Sequence, residues 1–478
     1  MYQTVGQDAI HLIAQALDVP LYRRTIEGKA VNQDLEYGSR KSLAIVDNED
    51  ETEDLFALLS IVKDSHPDIT GVSVGAILSN YQRTRVEHVC QRLQLTPLCY
   101  LWQRDQEELL MEMINNDMNA ILIKIAGIGL TTRHLGMSIK EMHPTLLKLN
   151  KMYGAHICGE GGEYETLTLD CPLFKQRIII DESEIVTHSD GGFAPVAYLK
   201  VKSAHMEPKP PLSGNLSPIH VPEHLDTSDM FVYDSITPDL ERPSQGRDSP
   251  LEQTSRFSNF NLTPSFKKTG PWLVVGNIQA KTKDLDSKSV EDETHESRAC
   301  VGVDLPGPNR LRIECIAFAH SDTTERFSLH VQGLSYWAPA NIGPYSQTIV
   351  VGHRMFVSGQ IGLLPANNVL PAPPSLREEL SLSLRHARKI VQSTKENYPR
   401  SRSYHIQSTI VWLTKSYHIL PIKLGILNSQ LGPRIPMIFV VVKSLPKGAL
   451  VETQVILHST SSVSDEHEQY LDPIYSEG

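Results

Sequence analysis

Short apolar runs and amphipathic helical patterns alternate along the first two hundred residues of this 478-residue chain. The apolar runs, each the length of one buried strand, lie at residues 20–25, 71–77, 97–101, 120–125 and 155–158. Helical periodicity lies at residues 5–17, 55–62, 82–93, 106–118 and 139–153. Strands that alternate with helices through short connections are typical of a parallel sheet covered by helices. The pattern therefore predicts an α/β fold, in which ligands bind beyond the carboxyl ends of the strands.

A glycine-rich acidic stretch follows the last of these predicted strands, at residues 159–166. Two adjacent glycines let the backbone turn sharply and approach a ligand closely. Carboxylates this close together repel, share protons, or meet cations and hydrogen-bond donors. We therefore favour a functional site over the alternative, a solvated turn. The residues predicted to take part are Glu160, Gly161, Gly162, Glu163, Tyr164, Glu165 and Thr166.

A second predicted strand end carries small residues followed by two arginines. Small side chains there expose backbone amides, and the helix beyond presents its positive end to an anion. Arg83 and Arg85 are placed to clamp a phosphate or carboxylate group in bidentate fashion. The alternative, in which both arginines pair with surface acids, fits the sequence equally well. The residues predicted at the anion are Gly75, Ala76, Ile77 and Ser79.

These motifs together resemble the diphthine–ammonia ligase family, over residues 1–203. The resemblance is carried by Gly75-Ala76-Ile77, Tyr81-Gln82-Arg83, Leu101-Trp102 and the stretch that begins at Glu160. It implies a Rossmann-like sheet of the HUP, ATP-pyrophosphatase type. It also implies an ATP-dependent ligase that adenylates the diphthine carboxylate on elongation factor two, after which ammonia displaces AMP to give the amide.

The same resemblance implies roles for the residues of both motifs. The cofactor would be ATP with magnesium, and the partners would be elongation factor two bearing diphthine, and ammonium. Carboxylates with an aromatic ring suit the trimethylammonium group of diphthine, and a glutamate suits the removal of a proton from ammonium. The expected catalytic residues are Glu160, Glu163 and Glu165. The expected substrate-binding residues are Gly161, Gly162, Tyr164, Thr166, Arg83 and Arg85, and the nucleotide would lie at Gly75, Ala76, Ile77 and Ser79.

One family feature has no counterpart in this sequence. The family opens with a strand and a glycine-rich phosphate loop, whereas residues 1–6 here resemble an internal stretch that precedes the second helix. We therefore expect a truncated sheet, an exposed sheet edge and weak ATP binding. The sequence is interpreted as a shortened form of a ligase. The alternative is a non-catalytic binding or scaffold protein that retains the diphthine surface.

The chain changes character after residue 203. Residues 204–268 are rich in proline and serine and lack periodicity, which predicts a largely disordered linker. Residues 331–460 resemble a complete Rid (YjgF) α+β module, residues 269–320 resemble part of another, and 461–478 form a tail. We expect the partial module to be poorly ordered or to lean on the complete one, since it lacks the helices that would cover its sheet.

The Rid resemblance implies assembly rather than catalysis. Rid deaminases hold the substrate carboxylate with an arginine two residues after a proline near the end. Here Pro436 is followed by Met437 and Ile438, and Gln454 stands where an acid is expected. Isoleucine cannot replace a guanidinium group. We expect this module to support binding or a homo-oligomer.

Charge and cysteine usage exclude several classes of protein. The net charge of −11 leaves no general basic surface, so we expect no nucleic-acid partner. No run is long enough to span a bilayer, and no signal segment is evident, so we expect a cytoplasmic protein and no membrane. The six cysteines and the histidines lack zinc-ligand spacing. The acidic run 47–54 is interpreted as a helix cap, and Cys158, two residues after His156, as a packed thiol rather than a nucleophile.

Overall fold

The chain divides into two compact units. The computed structural model describes residues 5–31, 50–189, 194–209, 222, 224–238, 264–280, 296–305, 311–319, 326–398, 403–429 and 435–460. Unit 1 comprises Met1–Glu223 and Gln332–Trp337, and unit 2 comprises His224–Val331 and Ala338–Gly478. The predicted tail and much of the predicted linker lie outside the described residues.

The helices of unit 1 lie where the sequence periodicity predicts them. They are α1 (Ile10–Leu17), α2 (Glu51–Ser65), α3 (Asn80–Leu93), α4 (Gln106–Asn115) and α5 (Ile139–Tyr153), with 3₁₀ turns at Val5–Asp8 and Thr132–His134. Helix α5 has the predicted bounds because Ser138 and Glu141 form a capping box and Gly154, at φ 69°, ends it. Helix α2 begins after Asp50, whose carboxylate accepts the Thr52 amide at 2.9 Å. The described part of the acidic run is therefore a cap, as predicted.

The strands of unit 1 form two sheets. They are β1 (Gly71–Ser73), β2 (Thr96–Leu98), β3 (Asn119–Ile125), β4 (Tyr164–Asp170), β5 (Gln176–Ser189) and β6 (Val196–Pro208). Strands β1 and β2 pair in parallel, with Gly71 opposite Thr96. The others form an antiparallel sheet in the order β4-β3-β6-β5.

The predicted parallel sheet is thus confirmed only as the small pair β1–β2. Strand β3 is antiparallel to both neighbours, since the chain reverses direction in the turns between α5 and β4 before it returns beside β3. Apolar patterns report burial but not strand direction. The predicted strands at 20–25 and 155–158 are wrong, because the first is irregular and the second is part of these turns.

Two apolar clusters pack the faces of the antiparallel sheet. One joins Leu122 and Ile125 to Met142 and Leu146 of α5. The other joins Ile121 and Ile123 to the apolar side of α1. Ile121, Leu122 and Ile123 therefore alternate between the clusters, whereas Ile125 joins the cluster of Leu122 beyond the register shift between Leu122 and Lys124.

Unit 2 is built on a six-stranded sheet with the order β10-β11-β12-β15-β13-β14. Its strands are β10 (Arg326–Leu329), β11 (Thr348–Val351), β12 (Arg354–Ile361), β13 (Ser403–Leu413), β14 (Met437–Val441) and β15 (Val451–Thr460), all antiparallel except the β13–β14 pair. Helices α7 (Leu376–Asn397) and α8 (Ile419–Leu427) share a buried cluster with the sheet, and 3₁₀ turns lie at Ser416–His418 and Pro446–Gly448. This mixed sheet backed by helices agrees with the α+β module that the Rid resemblance implies.

A helix lies inside the predicted linker. Helix α6 (Thr227–Ser235) begins with a capping box between Asp226 and Asp229. Val232 and Ile236 enter the same buried cluster as α7 and α8, and Arg388 of α7 pairs with both aspartates at 3.0 and 2.9 Å. Disorder is therefore wrong for this part of the linker, because one short helix supplies both apolar and ionic contacts.

The partial module, together with residues 265–268 of the predicted linker, forms a three-stranded sheet, so disorder is also wrong for those four residues. Its strands, in order, are β7 (Ser265–Thr269), β8 (Trp272–Ala280) and β9 (Leu311–Phe318). Most described side chains of β7 and β9 are exposed. Trp272 contacts Phe356 at 6.1 Å between ring centroids and lies under Arg354. The expectation that this segment leans on the complete module is confirmed.

A buried glutamate makes the stability of unit 2 depend on pH. Burial raises the pKa of Glu452 from 4.5 to about 8. Between these two values the unfolded chain releases a proton that the folded chain retains, so stability falls as pH rises. Glu452→Gln should flatten the curve of unfolding free energy against pH in this window, measured by denaturant titration. Parallel curves for the two proteins would contradict the assignment.

Candidate active site

The glycine-rich stretch forms tight turns that end at β4. Gly159 and Gly162 have φ angles of 75° and 84°, which a side chain rarely adopts. A Cβ on Gly159 would lie 2.8 Å from the carbonyl oxygen of Tyr164. The Tyr164 hydroxyl donates to the Ile157 carbonyl at 2.5 Å, and burial raises its pKa. The Tyr164 ring is buried in the core, so it does not face a ligand as an aromatic wall would.

Glu160 joins the two predicted motifs. Its Oε1 accepts the backbone amides of Ile77, Leu78 and Ser79 at 3.1, 3.1 and 3.0 Å. These amides lie at the start of α3, where the Ser79 side chain caps the helix. The predicted anion site at this strand end therefore holds a carboxylate of the protein itself. Oε1 of Glu160 is thus held by three backbone amides, which ties the two motifs together.

Glu165 is also engaged. Its Oε1 pairs with Lys124 of β3 at 2.7 Å, and its Oε2 accepts the Val5 amide at 3.1 Å. These contacts tie the start of β4 to its neighbour strand and to the first described residue. The sequence offered a signal for this pair, since Lys124 interrupts the apolar run of β3.

Glu163 differs from the other two glutamates. Its Oε1 accepts the His156 amide at 2.8 Å, whereas its Oε2 is buried without a hydrogen-bond partner among the described residues. A Cβ on Gly127 would lie 2.8 Å from the Glu163 side chain, and one on Gly161 would lie 2.6 Å from Oε1. The glycines thus let the backbone close around this carboxylate. An unused carboxylate oxygen can accept a proton or face a cation.

His156 lies beside the same carboxylate. Burial lowers its pKa, against the opposing effect of Glu160 and Glu163, which favours the neutral imidazole. Its Nδ1 accepts the Cys158 amide at 3.1 Å, while its Nε2 has no partner among the described residues. Burial raises the pKa of Cys158 to about 11, and its thiol donates to the Gln106 carbonyl. The packed-thiol interpretation is confirmed, but His156 belongs to the site.

The two arginines do not point outward as a clamp. Arg83 pairs with Glu87 at 2.6 Å, and both side chains are buried, at 2% and 3% exposure. Arg85 donates to the Tyr81 carbonyl at 3.0 Å, with its guanidinium carbon 3.3 Å from the Tyr81 ring centroid. In this conformation neither guanidinium is open to a ligand. The Arg83–Glu87 spacing of four residues is the helical pairing that the sequence already contained.

The small residues of the two motifs line this region in different ways. Ala76 and Ile77 are buried, whereas the space around Gly75 is open. Gly161, Gly162 and Thr166 are exposed. Among the described residues, no group of three or more histidine, cysteine or acidic side chains is arranged to hold a metal ion. No described helix is long and apolar enough to cross a membrane.

The hydrogen bonds of Glu160 should contribute to the stability of unit 1. Glu160→Ala should lower the free energy of unfolding by about 1–3 kcal/mol, because the three amides lose a charged acceptor. Glu160→Gln should lose less, since its amide oxygen still accepts. Denaturant unfolding of both variants measures the difference. An equal loss of unfolding free energy in the two would contradict the role of these three amide hydrogen bonds.

Comparisons with known proteins gave matches of three kinds: a family model, curated relatives and solved structures. A family model described as the diphthamide synthase C-terminal domain matches residues 105–201. The Schizosaccharomyces pombe diphthine–ammonia ligase is 37% identical and aligns with 96% of this chain and 81% of its own length. The Bos taurus diphthine–ammonia ligase is 57% identical over 210 residues, which are 44% of this chain and 76% of that protein. The RidA structure from Psychrobacter sp. PAMC 21119 is 24% identical over 26% of this chain and 94% of its own, with a TM-score of 0.23.

The family follows from the first two relatives together with the motifs of unit 1. The S. pombe match extends over nearly the whole chain, and the bovine match reaches 57% identity. The chain belongs to the diphthine–ammonia ligase family, and is a ligase of diphthamide biosynthesis.

Proposed function

We propose that this chain amidates diphthine on elongation factor two, using ATP and ammonium. The carboxylate of diphthine attacks the α-phosphorus of ATP and releases pyrophosphate. Ammonia then attacks the acyl carbon, AMP leaves with the bonding electrons, and the nitrogen gives up one further proton to solvent to form the neutral amide. The single observation that carries the proposal is the buried Oε2 of Glu163, which has no hydrogen-bond partner among the described residues.

Glu163 is the proton acceptor in this proposal. Ammonium must lose a proton before its nitrogen can attack a carbonyl carbon, and a carboxylate within reach can take it. Burial lowers the pKa of His156 beside it, which disfavours protonation of that imidazole and leaves the Glu163 carboxylate as the proposed acceptor. Glu160 and Glu165 are positioning residues, since both carboxylates already hold backbone amides or a lysine.

The nucleotide would lie at the strand end before α3. Glu160 occupies the amides of Ile77, Leu78 and Ser79, so the nucleotide would lie beside this loop rather than on these three donors. Gly75 leaves open space next to them. Magnesium would arrive with the phosphates of ATP rather than at a protein metal site.

Unit 2 would serve assembly. Strand β14 is the edge of its sheet and exposes Ile438 and Val441, at 54% and 49%. An apolar edge strand favours association with another chain, so we propose a homo-oligomer through this unit. The proposed protein substrate places the activity in the cytoplasm.

The test is AMP release by the full chain with ATP, magnesium, ammonium and diphthine-bearing elongation factor two. We expect release only when all are present, together with an amide on the factor by mass spectrometry. Capture of the factor without AMP release would instead favour a non-catalytic binding protein.

A further inference from the structure

A short segment distant in sequence adds one parallel β-bridge to the edge of the small parallel sheet of unit 1. Gln332–Trp337 lies more than a hundred residues beyond the rest of that unit. Leu334 pairs in parallel with Leu98 of β2, its amide donating to Pro97 and its carbonyl accepting from Cys99, at 2.9 and 2.7 Å. These are the bonds that an added strand makes to a sheet edge.

Glu87 holds both this segment and the candidate site. Its Oε1 accepts the amides of Gln332 and Gly333 at 3.1 and 2.9 Å. Its Oε2 pairs with Arg83, and Arg83 also donates to Asn80 in the first turn of α3, at 3.2 Å. The amides that bind Glu160 lie immediately before that turn.

The groove that binds this segment has room only for glycine at position 333. A Cβ on Gly333 would lie 2.5 Å from the Cys99 sulfur and 3.2 Å from Oε1 of Glu87. Beyond it, the Tyr336 ring lies 5.1 Å from that of Tyr100. An extended backbone with glycine facing Cys99, followed by an aromatic residue, therefore fits this surface.

We propose that Gln332–Trp337 is a docking strand whose backbone, through Glu87, positions Arg83 and the first turn of α3. The proposal adds a positioning residue, Glu87, and a peptide-binding groove to unit 1. The ligase site is fully formed only while the strand is docked, a consequence that depends on the proposed function. The docking and the positioning do not depend on it.

Alkylation of Cys99 measures docking directly in the full chain. Cys99 is buried under Gly333, and burial raises its pKa to about 12, so iodoacetamide should modify it slowly. Gly333→Ala blocks the groove, and Gln332→Pro removes one donor to Glu87. Both should speed modification of Cys99 by about tenfold or more, as local opening does. Gln332→Ala keeps the backbone donor and should behave as the wild type.

Other cysteines provide the controls in the same digest. Cys300 and Cys315 are exposed and should react fully in every variant. Cys171 is buried in the apolar cluster between β3 and α1 and should stay protected from iodoacetamide. Its protection distinguishes release of the docking strand from unfolding of unit 1. Equal modification of Cys99 in the wild type and in both variants would overturn the docking.

Hydrogen exchange measures the positioning. Amides in the first turns of α3 should exchange about tenfold faster in Gly333→Ala and Gln332→Pro than in Gln332→Ala. Unchanged exchange with faster Cys99 modification would overturn the role of Glu87. AMP release should fall in parallel with exchange. If no protein released AMP, including the wild type, the proposed function would fail, while alkylation and exchange would still decide this proposal.

Discussion

Glu163→Gln should lower the rate of AMP release by about a hundredfold or more, the usual contribution of a general base. The substitution keeps the size of the side chain and the acceptor for the His156 amide, but its amide cannot take a proton. The loss should appear in kcat rather than in the KM for the protein substrate. It should also shrink as pH rises toward the pKa of ammonium, since free ammonia then needs no base.

A matched control separates this effect from charge alone. Glu184→Gln, on the exposed face of β5, removes the same charge from the same unit and should leave the rate unchanged. A raised KM for the protein substrate with unchanged kcat would instead assign Glu163 to the trimethylammonium group, and would contradict its role as proton acceptor.

Arg83→Met should lower the free energy of unfolding by about 3–5 kcal/mol, because it leaves a buried carboxylate without its cation. Arg83 and Glu87 are 2.6 Å apart with almost no exposure, so water cannot replace the lost charge. Denaturant unfolding measures the change.

Arg177→Met is the control for the loss of an ion pair. Arg177 pairs with Glu207 at a similar distance, 2.7 Å, but both side chains are about half exposed. Stability should change little, since exposed pairs contribute little. Similar losses in the two variants would contradict the assignment of a buried pair.

The sequence predicted those parts of unit 1 whose structure depends on residues close together in the chain. Helix α5 has its predicted bounds because the signals for both ends lie in its own sequence: the capping box begins the helix and Gly154 ends it. The direction of β3 depends on how the chain returns after α5, which no local pattern records. Helix α6 was not predicted for a similar reason. It is stabilised by packing against α7 and α8, and its own sequence shows no helical periodicity of apolar residues.

The sequence singles out two motifs, and the structure shows a contact between them that the sequence does not record. The motifs around Ile77 and Glu160 do meet, but by a contact between residues more than eighty apart in sequence. Three glutamates look equivalent in the sequence, and only their partners distinguish them. Tyr164 looks like a cation-binding ring in the sequence, whereas its burial places it in the core. Spacing in the sequence shows which residue types lie near each other. Packing in the folded chain determines which of their atoms remain available to a ligand.

The most direct test of the account is incorporation of isotopically labelled ammonium into diphthine-bearing elongation factor two, compared between the full chain and Glu163→Gln. The account predicts a labelled amide with the wild type, a much slower reaction with the variant near neutral pH, and recovery of the variant as pH rises. Equal rates in the two proteins at every pH would contradict the claim that Glu163 prepares ammonia at this site.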